Sequence, residues 1–190
     1  MIKLDRIHTI SNYLSLSRIL LTAPIAYFLI TLEQSNYHPY FAAILMILAA
    51  ATDYLDGYFA RKYDEVSELG KIIDPLADKI GVGIITIILY LTGYIPTYIL
   101  VIIVARDIII FIGGLILSNK IGKVLPSNML GKITVFILGI YLLLLVLGLK
   151  SYPTFYNLFN LLIVFMSIIS LLGYVIRSIE VIRFKKNELL

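Results

Sequence analysis

Long apolar runs alternate along this chain with short polar joints. A helix needs about 20 mostly apolar residues to cross the hydrocarbon core of a bilayer. Stretches of about that length cover residues 14–32, 39–58, 74–91, 95–118, 128–149 and 155–179. We predict an all-α, polytopic membrane protein, a bundle of six transmembrane helices.

The joints between these runs are short and rich in turn-forming residues. Residues 34–36, 92–94 and 150–153 predict tight helical hairpins. Residues 2–11 mix apolar and charged side chains, which suits a short helix in the membrane interface, although a frayed tail fits equally. No polar stretch is long enough to fold by itself, so we predict one membrane domain over residues 1–190.

Composition supports a lipid environment. The chain is 60% hydrophobic and 15% charged, whereas soluble domains average roughly 45–50% apolar and about 25% charged residues. It contains no cysteine. Disulfides, thiolate nucleophiles and zinc–thiolate sites are therefore excluded.

The basic residues are distributed asymmetrically. The net charge is +4, but Lys and Arg flank the apolar runs instead of forming one basic face, so an anionic membrane or substrate is favoured over nucleic acid. With six spans, all 16 basic residues except Lys150 lie on the side of the two termini. Lys and Arg are enriched in cytoplasmic loops. We predict a multi-pass protein of the cytoplasmic membrane with both termini in the cytoplasm.

Two pairs of aspartates flank the joint between the second and third runs. Asp53 and Asp56 are three residues apart, and Asp74 and Asp78 are four apart. Each spacing places a pair on one face of a helix, and a cytoplasmic turn would bring the pairs together. Asp74-Pro75 suits a helix start.

The donor atoms of these aspartates indicate the kind of metal. Oxygen-only ligands without nearby His or Cys favour a hard cation such as Mg²⁺ or Mn²⁺. Four carboxylates can hold two such ions, an arrangement that serves displacement at phosphorus. The sequence therefore predicts a two-metal site at the cytoplasmic edge of the membrane.

Small and basic residues accompany the aspartates. Gly57 and Ala60 leave room for a nucleotide beside the metals, and Gly70 permits a close approach of the backbone. Arg61 can neutralise phosphate oxygens. Individually, these residues also fit helix packing or membrane anchoring. Their combination favours a nucleotide site.

At these residues the chain resembles the CDP-alcohol phosphotransferase family. The matching pattern is Asp53-x2-Asp56-Gly57-x2-Ala60-Arg61-x8-Gly70-x3-Asp74-x3-Asp78. The resemblance implies that the four aspartates bind two divalent cations and that Asp78 is also the general base. It further implies a CDP site lined by Asp53, Asp56, Gly57, Ala60, Arg61 and Gly70.

A second pattern precedes the first. Asn12-x-Leu14-Ser15-x2-Arg18 is similar to the Asn-x-Leu-Thr-x2-Arg segment of the bacterial phosphatidylglycerophosphate synthase branch, with Ser15 in place of threonine. The alternative is that Asn12 caps a helix and Arg18 anchors it at the interface.

A phosphorylated acceptor requires cationic partners for its dianion. Ala105-Arg106-Asp107 and Gly131-Lys132 resemble the glycerophosphate branch. The candidates for binding an acceptor phosphate are Arg106, Lys132, Lys120 and Lys123.

The chain departs from that branch at two places. A second arginine is expected where Gly113, Gly114 and Leu115 stand, and a second basic residue is expected where Thr134 stands. Arg106 and Asp107 also fit a simple buried ion pair.

The resemblance implies an enzyme of phospholipid biosynthesis. The hydroxyl of an acceptor, favoured as glycerol 3-phosphate, would attack the β-phosphorus of CDP-diacylglycerol, giving phosphatidylglycerophosphate and CMP. The alternative acceptors are inositol phosphate, serine and phosphatidylglycerol, the last of which would give cardiolipin. The family also implies a homodimer among membrane lipids. Rivals from other classes are a divalent-cation transporter, because intramembrane carboxylates often mark ion pathways, and a noncatalytic assembly protein.

Overall fold

Long helices account for nearly all of the described chain. The computed structural model describes residues 10–62, 70–121 and 129–188. Within these ranges, the side chains are described except at residues 10–19, 56–62, 70–78, 115, 118–121, 182 and 184–188. This part contains no strand, which confirms the all-α prediction. The helices are α1 (Ile10–Ile30), α2 (His38–Lys62), α3 (Gly70–Leu91), α4 (Thr97–Ile121), α5 (Met129–Val146) and α6 (Pro153–Glu188).

Two helix boundaries differ from expectation. Helix α3 begins at Gly70, so the prediction that Asp74-Pro75 starts it is wrong. Pro75 removes only one backbone hydrogen bond near the start of the helix, and the apolar residues around it continue the helix. Helix α6 has 36 residues, about 54 Å at 1.5 Å per residue. It is therefore longer than the hydrocarbon core of a bilayer, which is about 30 Å thick.

Apolar spans dominate the helices. Within the described residues, four helices are long and apolar enough to cross a membrane. Their candidate spans are His38–Leu55, Thr97–Gly114, Met129–Val146 and Pro153–Val181. Helices α1 and α3 contribute shorter apolar segments, Leu20–Ile30 and Lys79–Leu91. The chain is an integral, polytopic membrane protein. The predicted interfacial segment lies almost entirely outside the described residues.

Glycines terminate two of the helices. Gly93 follows α3 with φ of 76°, and Gly148 follows α5 with φ of 98°. In that region a side chain is strained, and glycine is not. The helices can therefore end at these positions, as the turn residues at 92–94 predict for α3.

The structure divides into two compact units. One consists of Met1–Tyr94 with Leu142–Gly148, and the other of Ile95–Tyr141 with Leu149–Leu190. The first contains α1, α2 and α3, and the second contains α4, α6 and most of α5.

In the first unit, α1 packs against both α2 and α3. Aromatic side chains at the end of α1 pack against aromatic side chains at the start of α2. Phe28 stacks on Phe41 at a centroid distance of 5.4 Å and forms a T-shaped pair with His38 at a centroid distance of 5.3 Å. Nδ1 of His38 lies 2.8 Å from the carbonyl oxygen of Thr31. These contacts hold α1 and α2 as a hairpin.

In the second unit, buried polar side chains link α5 to α6. The Tyr141 hydroxyl donates to Oδ1 of Asn160 at 2.6 Å. The Thr134 hydroxyl donates to the carbonyl of Leu130 at 2.8 Å and lies 3.2 Å from that of Met166. In a membrane each such bond stabilises helix association by about 0.6 kcal/mol on average.

Helices α4 and α6 also pack closely in this unit. A Cβ atom added at Gly113 would lie 3.0 Å from Cε1 and 3.2 Å from the hydroxyl oxygen of Tyr174. That hydroxyl is buried. By contrast, a Cβ at Gly139 would meet nothing within 4 Å.

We therefore expect opposite effects from two glycine substitutions. Gly113→Ala should lower the free energy of unfolding by about 1 kcal/mol, because the Tyr174 ring must move within a packed contact. Gly139→Ala should raise it by about 0.5–1 kcal/mol, because alanine favours the helix and meets no neighbour. Thermal unfolding of the purified protein in detergent measures both. Equal shifts in one direction would contradict the packing at Gly113.

Candidate active site

The aspartates predicted to bind metal lie on two helices of the first unit. Asp53 and Asp56 are on α2, which ends at Lys62. Asp74 and Asp78 fall within the first nine residues of α3. Both pairs lie on continuous helix, where residues three or four apart share a face.

The side chain of Asp53 is described, and it is exposed near the end of α2. The side chains of Asp56, Asp74 and Asp78 lie outside the described residues. Convergence of the four carboxylates therefore stays a prediction. The donor set itself, carboxylate oxygens alone, fits Mg²⁺ or Mn²⁺.

The other residues of the two motifs are placed by their backbone. Gly57, Ala60 and Arg61 lie in the last two turns of α2, and Gly70 is the first residue of α3. Their side-chain surroundings lie outside the described residues, so the CDP site stays a prediction.

The leading segment of α1 is helical throughout. Asn12, Ser15 and Arg18 lie in its first turns, and their side chains are outside the described residues. Because α1 already begins at Ile10, the alternative that Asn12 caps the helix is wrong. A capping residue precedes the first helical turn.

Arg106 is the centre of a buried polar network in the second unit. The residue is 5% exposed. Its Nη1 lies 2.6 Å from Oδ1 of Asp107. Its Nη2 donates to Oγ of Ser170 at 2.9 Å and to the carbonyl of Gly131 at 3.3 Å. Helices α4, α5 and α6 therefore all contribute to holding one guanidinium.

The ion pair considered for Arg106 and Asp107 is thus present, but it does not use the whole guanidinium. The buried Nε of Arg106 has no hydrogen-bond partner among the described residues. The side chain of Asp107 is 41% exposed, so solvent weakens its charge compensation. An isolated buried cation is unfavourable in a membrane protein. A buried guanidinium with an unused N–H is suited to an anion such as a phosphate.

The other basic candidates are not gathered around Arg106 in the described part of the chain. Lys132 is exposed on α5 and has no described contact with Arg106. Lys120 lies in the last turn of α4 with its side chain outside the described residues, and Lys123 lies entirely outside them. Thr134, at a position where a second basic residue was expected, is buried and bonded to backbone carbonyls.

Comparison with known proteins identifies the family. The sequence profile of the CDP-alcohol phosphatidyltransferase family matches residues 8–176. The chain belongs to this family. Membership agrees with the aspartate motif, and divalent metals are generally used by the family.

Curated relatives in the family are named CDP-diacylglycerol–glycerol-3-phosphate 3-phosphatidyltransferase. The protein of Bacillus subtilis (strain 168) is 43% identical over 91 residues, 48% of this chain and 47% of the relative. That of Rickettsia typhi is 36% identical over 141 residues, 74% of this chain and 77% of the relative. That of Aquifex aeolicus is 34% identical over 137 residues, 70% and 73% of the two chains. The aligned part thus spans about half the length of the first of these and about three quarters of the other two.

Sequence reasoning missed one residue of the Arg106 network, Ser170. A signal was present, because Ser167, Ser170 and Tyr174 recur at intervals of three and four residues within the apolar run of α6. Such spacing marks one face of a helix. Polar groups on one face of a membrane helix are expected to face other helices and not lipid.

Replacing Arg106 separates a functional from a structural role. We expect Arg106→Met to have a melting temperature at least equal to that of the wild type. The change removes a buried cation with an unpaired donor, the exposed Asp107 stays hydrated, and Ser170 can bond to its own helix. Thermal unfolding in detergent measures this.

Tyr141→Phe is the matched control, because it removes a satisfied buried hydrogen bond. It should reduce stability by about 1 kcal/mol. A fall of several degrees in the melting temperature of Arg106→Met would show that the arginine is needed for the fold itself.

Proposed function

We propose that this chain transfers the phosphatidyl group of CDP-diacylglycerol to glycerol 3-phosphate, giving phosphatidylglycerophosphate and CMP. The observation that carries the proposal is the family match over residues 8–176, with relatives of that named activity aligned over about three quarters of their length. The buried Arg106 with an unused N–H supports a phosphorylated acceptor.

The aspartates on α2 and α3 supply the metal ligands in this proposal. Asp53, Asp56, Asp74 and Asp78 would hold two Mg²⁺ or Mn²⁺ ions, for which their oxygen donors are suited. When bound, such ions neutralise the pyrophosphate and the charge that develops on the leaving CMP.

The residues of the chain position and deprotonate the acceptor. Asp78 removes the proton from the acceptor hydroxyl. At the same time, the hydroxyl oxygen forms a bond to the β-phosphorus of CDP-diacylglycerol. The bond from that phosphorus to the oxygen of CMP breaks, and CMP leaves with the electron pair.

The small residues of the motif leave room for the nucleotide. Gly57 and Ala60 admit the nucleotide against α2, and Gly70 allows it to approach the backbone closely at the start of α3. Arg61 binds a phosphate oxygen.

Arg106 binds the phosphate of glycerol 3-phosphate through the part of the guanidinium that the protein leaves unused. Charge-assisted hydrogen bonds of this type are short and strong. Lys132, Lys120 and Lys123 add positive charge that attracts the dianion. Asn12, Ser15 and Arg18 belong to the entry segment that the family resemblance implies at the start of α1.

The orientation follows from the basic residues. Lys150 lies in the turn between α5 and α6, and the sequence with six spans assigns the other basic residues to the side of the termini. We infer that the termini and the site face the cytoplasm. Membrane lipids cover the exposed apolar side chains, for example Leu91, Phe136 and Leu161. The resemblance to the family supports a homodimer as the functional form, and the distribution of basic residues favours an anionic membrane or substrate over nucleic acid.

Measurement of CMP release tests the reaction. Purified protein with CDP-diacylglycerol in mixed micelles, Mg²⁺ or Mn²⁺, and glycerol 3-phosphate should release CMP and form phosphatidylglycerophosphate. Serine, inositol phosphate and phosphatidylglycerol, offered singly, should give at most about 1% of that rate. A faster rate with one of them would reassign the acceptor. If no alcohol yields CMP while proteoliposomes take up divalent cations, the chain is a transporter.

Removal of the metal ligands should abolish turnover. We expect Asp78→Asn to lower kcat by about 10²–10⁴, the range for loss of a general base, and Asp74→Asn to lower it as well, because a predicted metal ligand is removed. Chelation with EDTA should stop the wild type, and Mg²⁺ or Mn²⁺ should restore it. Glu33→Gln is the control, because Glu33 is an exposed carboxylate in the turn after α1, away from the motif. Full activity of Asp74→Asn would favour a noncatalytic role for the chain.

A further inference from the structure

The hydroxyl of Ser170 contacts the guanidinium of Arg106 from a different helix. Ser170 lies on α6 and is 1% exposed, and Arg106 lies on α4 and is 5% exposed. The Nη2–Oγ distance is 2.9 Å. The sequence motifs that identify the family do not include Ser170.

The partners of Arg106 restrict the orientation of its side chain. A guanidinium is planar, and its five N–H bonds lie in fixed directions in that plane. Asp107 engages Nη1, and Ser170 and Gly131 engage Nη2. With both terminal nitrogens held, the direction of the unpaired Nε–H is determined.

Ser170 is the stronger of the two described acceptors for Nη2. The alternative, the Gly131 carbonyl, lies at 3.3 Å, near the limit for a hydrogen bond. The backbone of Gly131 also lies close to this hydrogen bond, since a Cβ atom added at Gly131 would lie 3.6 Å from Nη2 of Arg106 and 3.7 Å from Oγ of Ser170. Without the serine oxygen, Nη2 would retain only the long bond to Gly131, and the orientation of the guanidinium would depend mainly on the partly exposed Asp107.

We propose that Ser170 is a positioning residue for the acceptor, which acts by holding Arg106 in the orientation that receives the acceptor phosphate. The inference rests on the proposed function, in which glycerol 3-phosphate is the acceptor. Ser170 itself does not touch the reacting atoms. Its effect therefore belongs to the binding of the phosphorylated acceptor and not to the chemical step.

Steady-state kinetics of Ser170→Ala test the proposal. The KM for glycerol 3-phosphate should rise about tenfold, the loss expected for one hydrogen bond to a charged group. The KM for CDP-diacylglycerol and kcat should stay within about twofold of the wild type. A KM does not depend on the folded fraction, so partial misfolding of the variant does not obscure the result.

Matched variants distinguish orientation from general damage to α6. Ser167→Ala removes another buried hydroxyl one turn away and should leave the KM for glycerol 3-phosphate unchanged. Ser170→Thr keeps the hydroxyl and should restore the KM to within about threefold of the wild type. An equal rise in Ser167→Ala, or no recovery with threonine, would overturn the proposal.

A double-mutant cycle tests whether Ser170 acts through Arg106. In Arg106→Lys the planar fork is absent, so adding Ser170→Ala should change the KM less than about twofold. The full tenfold effect in that background would contradict the proposal. Failure of the wild type to release CMP with glycerol 3-phosphate would instead refute the proposed function. Normal wild-type turnover with an unchanged Ser170→Ala would refute only this inference.

Discussion

Lipid provides no hydrogen bonds, and this constraint governs the polar groups of the chain. Most side chains in the spans are apolar, and many of the largest are exposed on the helices. A polar group at the same depth is stable only when the protein or a ligand satisfies it. The buried polar side chains of α4, α5 and α6 therefore face other helices, where Tyr141 bonds to Asn160 and Thr134 to backbone carbonyls.

Arg106 satisfies this constraint incompletely. Its terminal nitrogens are paired, yet its Nε is buried without a partner. A group maintained only for stability would be replaced at little cost by an apolar residue of similar size. The unsatisfied donor is more readily understood as part of a binding site that is completed by an anion. The same reasoning applies to the predicted convergence of the aspartates of α2 and α3, because carboxylates brought together near lipid would repel one another and favour bound cations.

The two candidate sites differ in how far local sequence describes them. The metal motif is contiguous, from Asp53 to Asp78, and helical periodicity is enough to place each pair on one side of its helix. The arginine network combines Arg106 with Gly131, which lies 25 residues later in the sequence, and with Ser170, which lies 64 residues later. No local pattern relates these positions, because they meet only through the packing of three helices.

Sequence alone determined the helical class, the membrane environment and the approximate limits of the spans, because hydrophobic length is a local property. It also determined the family, because the aspartate spacing is a property of one helix–turn–helix segment. Tertiary structure decided that α3 starts at Gly70, that Thr134 is a packing residue, and that Ser170 holds Arg106. Those outcomes depend on which helix faces meet. Such contacts form between residues distant in the chain, and sequence periodicity shows which face of a helix is polar but not which residue of another helix it meets.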